Sequence, residues 1–220
     1  MKTYYTQKRA QSYNQKWKVF STKTHDTVFS AIDFTQVNKI CENFKRPLRI
    51  LDAACGTGLL LERLSHLIPH AELYGVDASE DMLAQAHLFL SAAHFIHTSL
   101  QGAEKADLPY EAASFDLITC TNALHNMNDP IGVLRGLREL LAPQGQFVLE
   151  DYAHRGFPFP WRIFEWFTRR MDPQHVRAYT LSEAQLFCRE AGLQVIVAQN
   201  FPIDRVWRGW VIRAVAPQLQ

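Results

Sequence analysis

The stretch that decides the fold is RILDAACGTG, which runs from Arg49 to Gly58. With Leu48 it begins as an apolar run after Pro47, a pattern typical of a short buried strand. It is followed by LLLERLSHLI, whose apolar residues have helical spacing up to Pro69. The small residues in between allow a tight turn and let backbone N–H groups approach a ligand. We therefore predict a ligand-binding turn here, with an ordinary strand-to-helix connection as the alternative.

The spacing of the glycines restricts which nucleotide such a turn can hold. A dinucleotide-binding turn needs the pattern G-x-G-x-x-G. Here Gly56 and Gly58 are followed by Leu61 at the third glycine position, and Ala54 stands two residues before Gly56. The phosphate-binding pattern G-x-x-x-x-G-K-[ST] is also missing from the sequence. The turn therefore disfavours a pyrophosphate ligand, and with it a dehydrogenase.

Composition excludes several other classes of protein. The chain has 220 residues, of which 47% are hydrophobic and 20% are charged, and its net charge is +1. A chain of this kind buries a real core, and near-neutral charge argues against a dedicated nucleic-acid binder. The N-terminus is basic but lacks the apolar segment of a secretory signal. The four cysteines form no C-x-x-C pair, which disfavours a metal site and fits a reduced, cytoplasmic protein.

Strand and helix patterns alternate along most of the chain. A broadly helical pattern over His25–Phe44 comes first. The strand patterns after the opening stretch are AELYGVDAS (71–79), HFIHTSL (94–100), FDLITCTNAL (115–124), QFVLEDY (146–152), LQVIVAQN (193–200) and WVIRAV (210–215). Helical patterns occupy 79–93, 129–141, 161–170 and 180–192. This alternation predicts a doubly wound α/β sheet that is mainly parallel. The last two strands are joined by a loop too short for a crossover helix, so we expect that pair to be antiparallel.

Polar residues follow the predicted strands at the edge where such sheets bind ligands. Asp77 ends the second strand, 25 residues after Asp52, and a carboxylate there is placed to accept ribose hydroxyls. Asp77 as a helix cap is the alternative, although Ser79 already suits that role. Glu104 follows the third strand, where a carboxylate accepts from an adenine amino group. Taken by itself, Glu104 is better explained as a charged side chain exposed to solvent on a loop.

Together, the segments Ile50–Gly58, Leu73–Leu83, Glu104–Tyr110, Phe115–Met127 and Leu140–Glu150 resemble the class I S-adenosylmethionine-dependent methyltransferases. The resemblance is closest to the small-molecule branch that includes quinone-biosynthesis enzymes. It implies a Rossmann-like seven-stranded sheet in the order 3-2-1-4-5-7-6 with strand 7 antiparallel. It also implies a helical lid over residues 1–45, a methyltransferase domain over 46–220, and an acceptor cap at about 153–180.

The same resemblance assigns the cofactor site. It implies that the cofactor turn is formed by Asp52, Ala54, Gly56, Thr57 and Gly58, and that Asp77 binds the ribose. It further implies that the adenine is contacted by Ala78, Met82, Glu104 and Lys105, and the methionine part by Thr121 and Tyr13. Two positions depart from the family pattern. Ala54 replaces a common glycine and is tolerated if its φ is negative. Glu104 replaces aspartate, which lengthens the reach to adenine.

The acceptor side is less sharply defined by the sequence. His125 follows the fourth strand, close to where the transferred methyl would point, and is the candidate catalytic base; a structural role in the loop is the alternative. Polar residues after strand five are weaker candidates for the acceptor pocket: Glu150, Asp151, Tyr152 and His154. The aromatic segment GFPFPWRIFEWFTRRM (156–171) predicts a cap for a small, partly apolar or aromatic acceptor, or else a core-facing helix with a basic side.

Three functional hypotheses follow. The first is a methyltransferase that uses S-adenosylmethionine, leaves S-adenosylhomocysteine and acts on a small molecule. The second is a lipid or quinone methyltransferase at a membrane surface, anchored by the aromatic and basic cap. The third is a non-catalytic S-adenosylmethionine-binding protein. A nucleic-acid or protein methyltransferase is disfavoured, because Thr121-Asn122-Ala123-Leu124 stands where the amino-methylating signature [DNS]-P-P-[YF] belongs.

Overall fold

The elements of the fold are taken from a computed structural model that describes residues 5–100, 108–153, 161–204 and 207–217. The strands are β1 (Arg49–Ala53), β2 (Glu72–Asp77), β3 (His94–His97), β4 (Phe115–Thr121), β5 (Leu141–Ala153), β6 (Gln194–Pro202) and β7 (Arg208–Val215). The helices are α1 (Gln7–Lys16), α2 (Lys18–Ala31), α3 (Phe34–Phe44), α4 (Leu59–Leu67), α5 (Glu80–Phe89), α6 (Pro130–Leu140), α7 (Trp161–Met171) and α8 (Leu181–Glu190). A 3₁₀ turn (Leu124–Asn126) follows β4.

The strands form one seven-stranded sheet in the order β3-β2-β1-β4-β5-β7-β6. The neighbours from β3 to β5 run parallel, whereas β7 is antiparallel to both β5 and β6. This confirms the predicted order and the predicted antiparallel pair. The carboxyl ends of β1, β2 and β4 therefore meet at one edge of the sheet.

Apolar side chains cover both faces of the sheet. In β4 the residues from Phe115 to Cys120 are all buried, as expected for a parallel strand covered on both sides. Successive residues alternate between two core clusters: Leu117 packs in one and Ile118 in the other. The sheet is thus held between two apolar layers, which fixes the strand ends that carry the polar site.

The helical pattern over His25–Phe44 is interrupted in the structure. α2 ends at Ala31 and α3 begins at Phe34. At the break, the backbone N–H of Asp33 donates to Oε1 of Gln146, and Nε2 of Gln146 donates to the Asp33 carbonyl, both at 2.9 Å. The side chain of Asp33 also pairs with Arg213 at 3.2 Å. One continuous helix would take the Asp33 backbone groups into its own hydrogen bonds and leave the buried amide of Gln146 without these partners.

Three helices begin at the capping residues that the sequence predicted. Ser79 caps α5, Asp129 caps α6 ahead of Pro130, and Thr180 forms a capping box with Glu183 at α8. These caps fix the helices that follow the ligand-binding edge. In the ranges that the structure describes, no helix is long and apolar enough to cross a bilayer.

Candidate functional site

The turn after β1 has an unusual backbone. Ala54, Gly56 and Gly58 all have positive φ, at 63°, 55° and 75°. The condition of a negative φ at Ala54 is therefore not met. An alanine in this region costs about 1–2 kcal/mol, because its Cβ crowds the following carbonyl. At Gly58 a side chain would also be crowded, since a Cβ would lie 3.0 Å from the Cβ of Ala86.

Asp77 joins the tip of β2 to this turn. Its Oδ2 accepts the backbone N–H of Gly56 and its Oδ1 accepts that of Ser79, both at 2.8 Å. Burial raises the pKa of Asp77, while the hydrogen bonds from Ser79 and Gly56 act in the opposite direction. Ser79 caps the helix as expected, but Asp77 also holds local backbone. A carboxylate oxygen can accept more than one hydrogen bond, and Asp77 lines the cleft described below.

Asp52 lies beneath the turn, near the end of β1. Its side chain is almost fully buried, and its Oδ1 accepts a 2.7 Å hydrogen bond from the hydroxyl of Thr119 on β4. Burial raises the pKa of Asp52 to about 7; the charge of Asp77 acts in the same direction, and the bond from Thr119 opposes both. The floor of the site is therefore a carboxyl group that changes its charge near neutral pH.

These residues open onto a cleft of about 160 Å³ at the carboxyl ends of β1, β2 and β4. Most of the residues predicted for the cofactor line it: Tyr13, Asp52, Ala54, Gly56, Thr57, Asp77, Ala78, Met82 and Thr121. Gly58 belongs to the turn but is not part of the lining. Glu104 and Lys105 lie outside the described residues. The structure therefore brings together nine of the predicted side chains and backbone groups.

The N-terminal segment contacts the cleft directly. The hydroxyl of Thr57 donates to Oδ1 of Asn14 at 2.6 Å, and the hydroxyl of Ser79 donates to the carbonyl of Tyr5 at 3.1 Å. Tyr5 and Tyr13 meet edge to face with their ring centres 5.6 Å apart. Burial raises the pKa of Tyr13 to about 12. Tyr13, which lines the cleft, therefore keeps its proton and stays neutral.

His125 lies beside the cleft in a network of polar side chains. Its Nδ1 is 2.8 Å from Oδ1 of Asp151, and Oδ2 of Asp151 accepts the backbone N–H of His125 at 2.8 Å. A proton on Nδ1 donated to this carboxylate leaves Nε2 as the basic nitrogen. The His125 ring packs against Tyr152 with the ring centres 4.4 Å apart. His125 itself does not line the cleft, although Asn126 and Met127 do.

The other residues predicted after strand five have different environments. Glu150 is fully buried within β5 and does not line the cleft, which gives no support to its predicted place in an acceptor pocket. Among the residues that the structure describes, neither carboxyl oxygen of Glu150 has a hydrogen-bond partner, and burial raises the pKa of this group well above the usual range. Tyr152 shares a 2.8 Å hydrogen bond with Nδ1 of His175. His154 lies outside the described residues.

The structure describes only part of the aromatic segment (156–171) that was predicted to form a cap. Phe157 and Phe159 lie outside the described residues, and α7 begins at Trp161. On α7, Ile163 and Trp166 are exposed, with Trp166 at 66%. These two side chains therefore do not face the core, and the expectation of a core-facing helix does not hold for them.

Several residues of the site gave no signal in the sequence. Asn14, Thr119 and His175 are isolated polar residues without a motif around them. Each acquires its partner from a distant part of the chain: Thr57, Asp52 and Tyr152, respectively. Only the folded sheet brings these pairs together.

Comparison with known proteins gives the family. A family model described as a methyltransferase domain matches residues 51–147. The uncharacterized methyltransferase YcgJ of Bacillus subtilis (strain 168) is 30% identical over 171 residues, which cover 77% of this chain and 66% of YcgJ. The crystal structure of YcgJ has a TM-score of 0.64 at 22% identity and covers 84% of this chain and 99% of that chain.

Two further matches extend this result. Demethylmenaquinone methyltransferase of Lactococcus lactis subsp. lactis (strain IL1403) is 36% identical over 149 residues, covering 66% of this chain and 58% of that protein. The structure of magnesium protoporphyrin IX methyltransferase (ChlM) from Synechocystis PCC 6803 with bound SAH has a TM-score of 0.67 at 16% identity, covering 97% of this chain and 96% of that chain.

The chain belongs to the class I S-adenosylmethionine-dependent methyltransferases. This confirms the family and the fold predicted from the sequence. The matched segments span 66% of YcgJ and 58% of the Lactococcus lactis protein.

Proposed function

We propose that the protein transfers a methyl group from S-adenosylmethionine to a small, partly apolar acceptor and leaves S-adenosylhomocysteine. The observation that carries this proposal is the Asp77 carboxylate, bonded to the Gly56 backbone inside a cleft where three strands end. An acidic group at the tip of β2 suits the two hydroxyls of an adenosine ribose. A turn with few glycines suits a cofactor without a pyrophosphate.

The lining supports a role for each part of the site. Asp77 would accept the ribose hydroxyls, and the backbone from Ala54 to Gly58 would pass along the methionine part of the cofactor. Ala78 and Met82 would pack against the adenine, because both line the cleft next to Asp77. Thr121 and the hydroxyl of Tyr13 would contact the methionine end. The helices of residues 1–45 would act as a lid, with α1 bonded to the turn through Asn14.

When bound, the cofactor supplies a methyl group on a positively charged sulfur. This sulfur leaves as a neutral thioether and needs no activation. The protein's main task is then to hold the acceptor in line and exclude water, which contributes on the order of 7–11 kcal/mol in well-oriented reactions. An acceptor hydroxyl must also lose a proton. His125 is the candidate base, since Asp151 orients its ring and leaves Nε2 to take that proton.

The acceptor class rests on chemistry and on the names of relatives. Met127 and Ala123 contribute apolar surface to the cleft on the side of β4. Relatives carry the names demethylmenaquinone methyltransferase and ubiquinone biosynthesis O-methyltransferase. We therefore propose hydroxylated quinones and similar ring compounds as the first acceptors to test.

Calorimetric titration of S-adenosylhomocysteine into the protein tests cofactor binding. We expect Asp77→Ala to weaken the affinity at least about tenfold, since hydrogen bonds to a charged group contribute about 1.5–3 kcal/mol. Glu80→Ala is the matched control, because it removes an exposed carboxylate three residues away. Failure of the unmodified protein to bind would contradict the proposal.

Transfer of a labelled methyl group to a panel of hydroxylated naphthoquinones and benzoquinones tests the reaction. We expect label in the quinone fraction that is lost in Asp77→Ala and kept in Glu80→Ala. Tight cofactor binding without transfer to any small molecule would instead favour a non-catalytic binding protein.

A further inference from the structure

Charge is distributed very unevenly along this nearly neutral chain. The first 25 residues contain six lysines and arginines and not one aspartate or glutamate. The remaining residues contain 17 basic and 22 acidic side chains, so the body of the protein is acidic. The overall charge of +1 therefore conceals a strongly basic N-terminal segment.

The structure places this charge on the outer surface of α1 and α2. The basic residues of the segment that the structure describes are all exposed: Lys8, Arg9, Lys16, Lys18 and Lys23. Within the described ranges, none of the four lysines forms an ion pair. Their charge is thus available to an external partner of opposite sign.

Apolar side chains are exposed in the middle of this basic surface. The junction of α1 and α2 reads Lys16-Trp17-Lys18-Val19, which we call the lid corner. Val19 is 81% exposed and Trp17 is 39% exposed, with Nζ of Lys16 5.2 Å from the centre of the Trp17 ring. One exposed aliphatic residue is ordinary on a protein surface. An exposed valine and tryptophan, each next to lysine, are typical of a segment that inserts shallowly among lipid headgroups.

We infer that the lid corner docks onto an anionic lipid surface. The lysines would be attracted to the negative headgroups, while Trp17 and Val19 would enter the interface between headgroups and acyl chains. A nucleic acid would also attract the lysines, but it offers no apolar layer for an exposed valine. Tyr13 lies one helical turn before Lys16 and lines the cleft, so docking brings the cleft close to the lipid.

This inference does not depend on methyl transfer, and its test does not use activity. Sedimentation of the full chain with phosphatidylcholine vesicles is compared with sedimentation with vesicles that also contain phosphatidylglycerol. We expect binding only to the anionic vesicles, weakening as salt is added. The double variant Lys16→Glu/Lys18→Glu should lower the partition coefficient about 25-fold or more, since each basic side chain near such a surface contributes a factor of about five.

Two further variants make the result specific. Lys39→Glu/Arg189→Glu changes the net charge by the same amount at exposed positions on α3 and α8 and should keep vesicle binding. Val19→Ser keeps the charge and should lower binding several-fold, because it removes apolar surface from the lipid interface. Circular dichroism checks that each variant is folded.

Three outcomes would overturn the inference. They are an unmodified protein that does not sediment with anionic vesicles, an equal loss of binding in the Lys39→Glu/Arg189→Glu control, and unchanged binding in Val19→Ser. Binding to duplex RNA or DNA in the absence of vesicle binding would assign the basic surface to nucleic acid instead.

Discussion

The hydroxyl of Thr57 donates a 2.6 Å hydrogen bond to Oδ1 of Asn14, which bonds the turn after β1 to the N-terminal helix α1. Thr57 is buried and Asn14 is partly buried at this contact. Because Tyr13 is next to Asn14 in α1 and lines the cleft, the bond also holds this part of α1 at the cleft. The turn and the helix above it therefore form one unit around the cleft.

Removing this bond should weaken cofactor binding without unfolding the protein. We expect Asn14→Ala to raise the dissociation constant of S-adenosylhomocysteine about two- to tenfold, since one hydrogen bond contributes about 0.5–1.5 kcal/mol. Gln15→Ala is the control, because Gln15 is adjacent and exposed. Calorimetry measures both. Equal affinities in the two variants would contradict a role for α1 as a lid.

Because the backbone of Ala54 is strained, we expect that replacing this alanine by glycine will stabilise the protein. Its φ of 63° suits glycine better than alanine. Ala54→Gly should therefore raise the free energy of unfolding by about 1 kcal/mol, measured by urea denaturation. Ala53→Gly is the matched control: Ala53 is fully buried in β1, so glycine there should destabilise. A loss of stability in Ala54→Gly would show that the alanine methyl group contributes more by packing than it costs in backbone strain.

The strand and helix segments and the antiparallel last pair were predictable because the signals for them are local, whereas the order of the strands was implied by the family resemblance. Proline, glycine and capping residues mark the ends of apolar segments, and the short connection before β7 leaves only an antiparallel pairing. The break at Asp33 was not predictable in this way, since its partner Gln146 is 113 residues away. The sequence marked Ala54 as a replaced glycine but left its φ open, because an alanine is normally found at negative φ.

The cofactor site was more predictable than the acceptor site for a related reason. Asp52, Asp77 and Thr121 lie at or next to strand ends, where the fold determines their positions. The sequence singled out His125, but its partner Asp151 was only one of several candidate residues after β5. That pairing depends on the register between β4 and β5 and on the 3₁₀ turn after β4. Asn14 and Thr119 depend on contacts between elements that are distant in sequence.

Asp52 predicts a dependence of stability on pH. Its pKa is raised from an unfolded value of about 3.9 to about 7, mainly by burial. The folded state therefore binds a proton more tightly, and this contribution to stability is full below about pH 4 and lost as the pH rises through 7. Asp52→Asn cannot ionise. The stability of the unmodified protein relative to this variant should fall by a few kcal/mol between pH 4 and pH 8.

Urea denaturation at a series of pH values measures this difference. Thr119→Val provides an informative second variant, because it removes the hydrogen bond that lowers the pKa of Asp52. In that variant the fall in stability should begin at the same pH, extend to higher pH and become larger. Parallel stability curves for the unmodified protein and Asp52→Asn would show that Asp52 does not titrate in this range.

From the pair formed by His125 and Asp151 we expect that mutating either residue slows methyl transfer only to acceptors that must lose a proton. His125→Ala should lower kcat for a hydroxylated quinone about 10²–10⁴-fold, the usual contribution of a general base, with little change in affinity for S-adenosylhomocysteine. Because Asp151 accepts both Nδ1–H and the backbone N–H of His125, Asp151→Asn should also lower kcat. Added imidazole should restore part of the activity of His125→Ala but not that of Asp77→Ala. Rescue distinguishes a missing base from a disturbed loop, since a purely structural role for His125 would leave imidazole without effect.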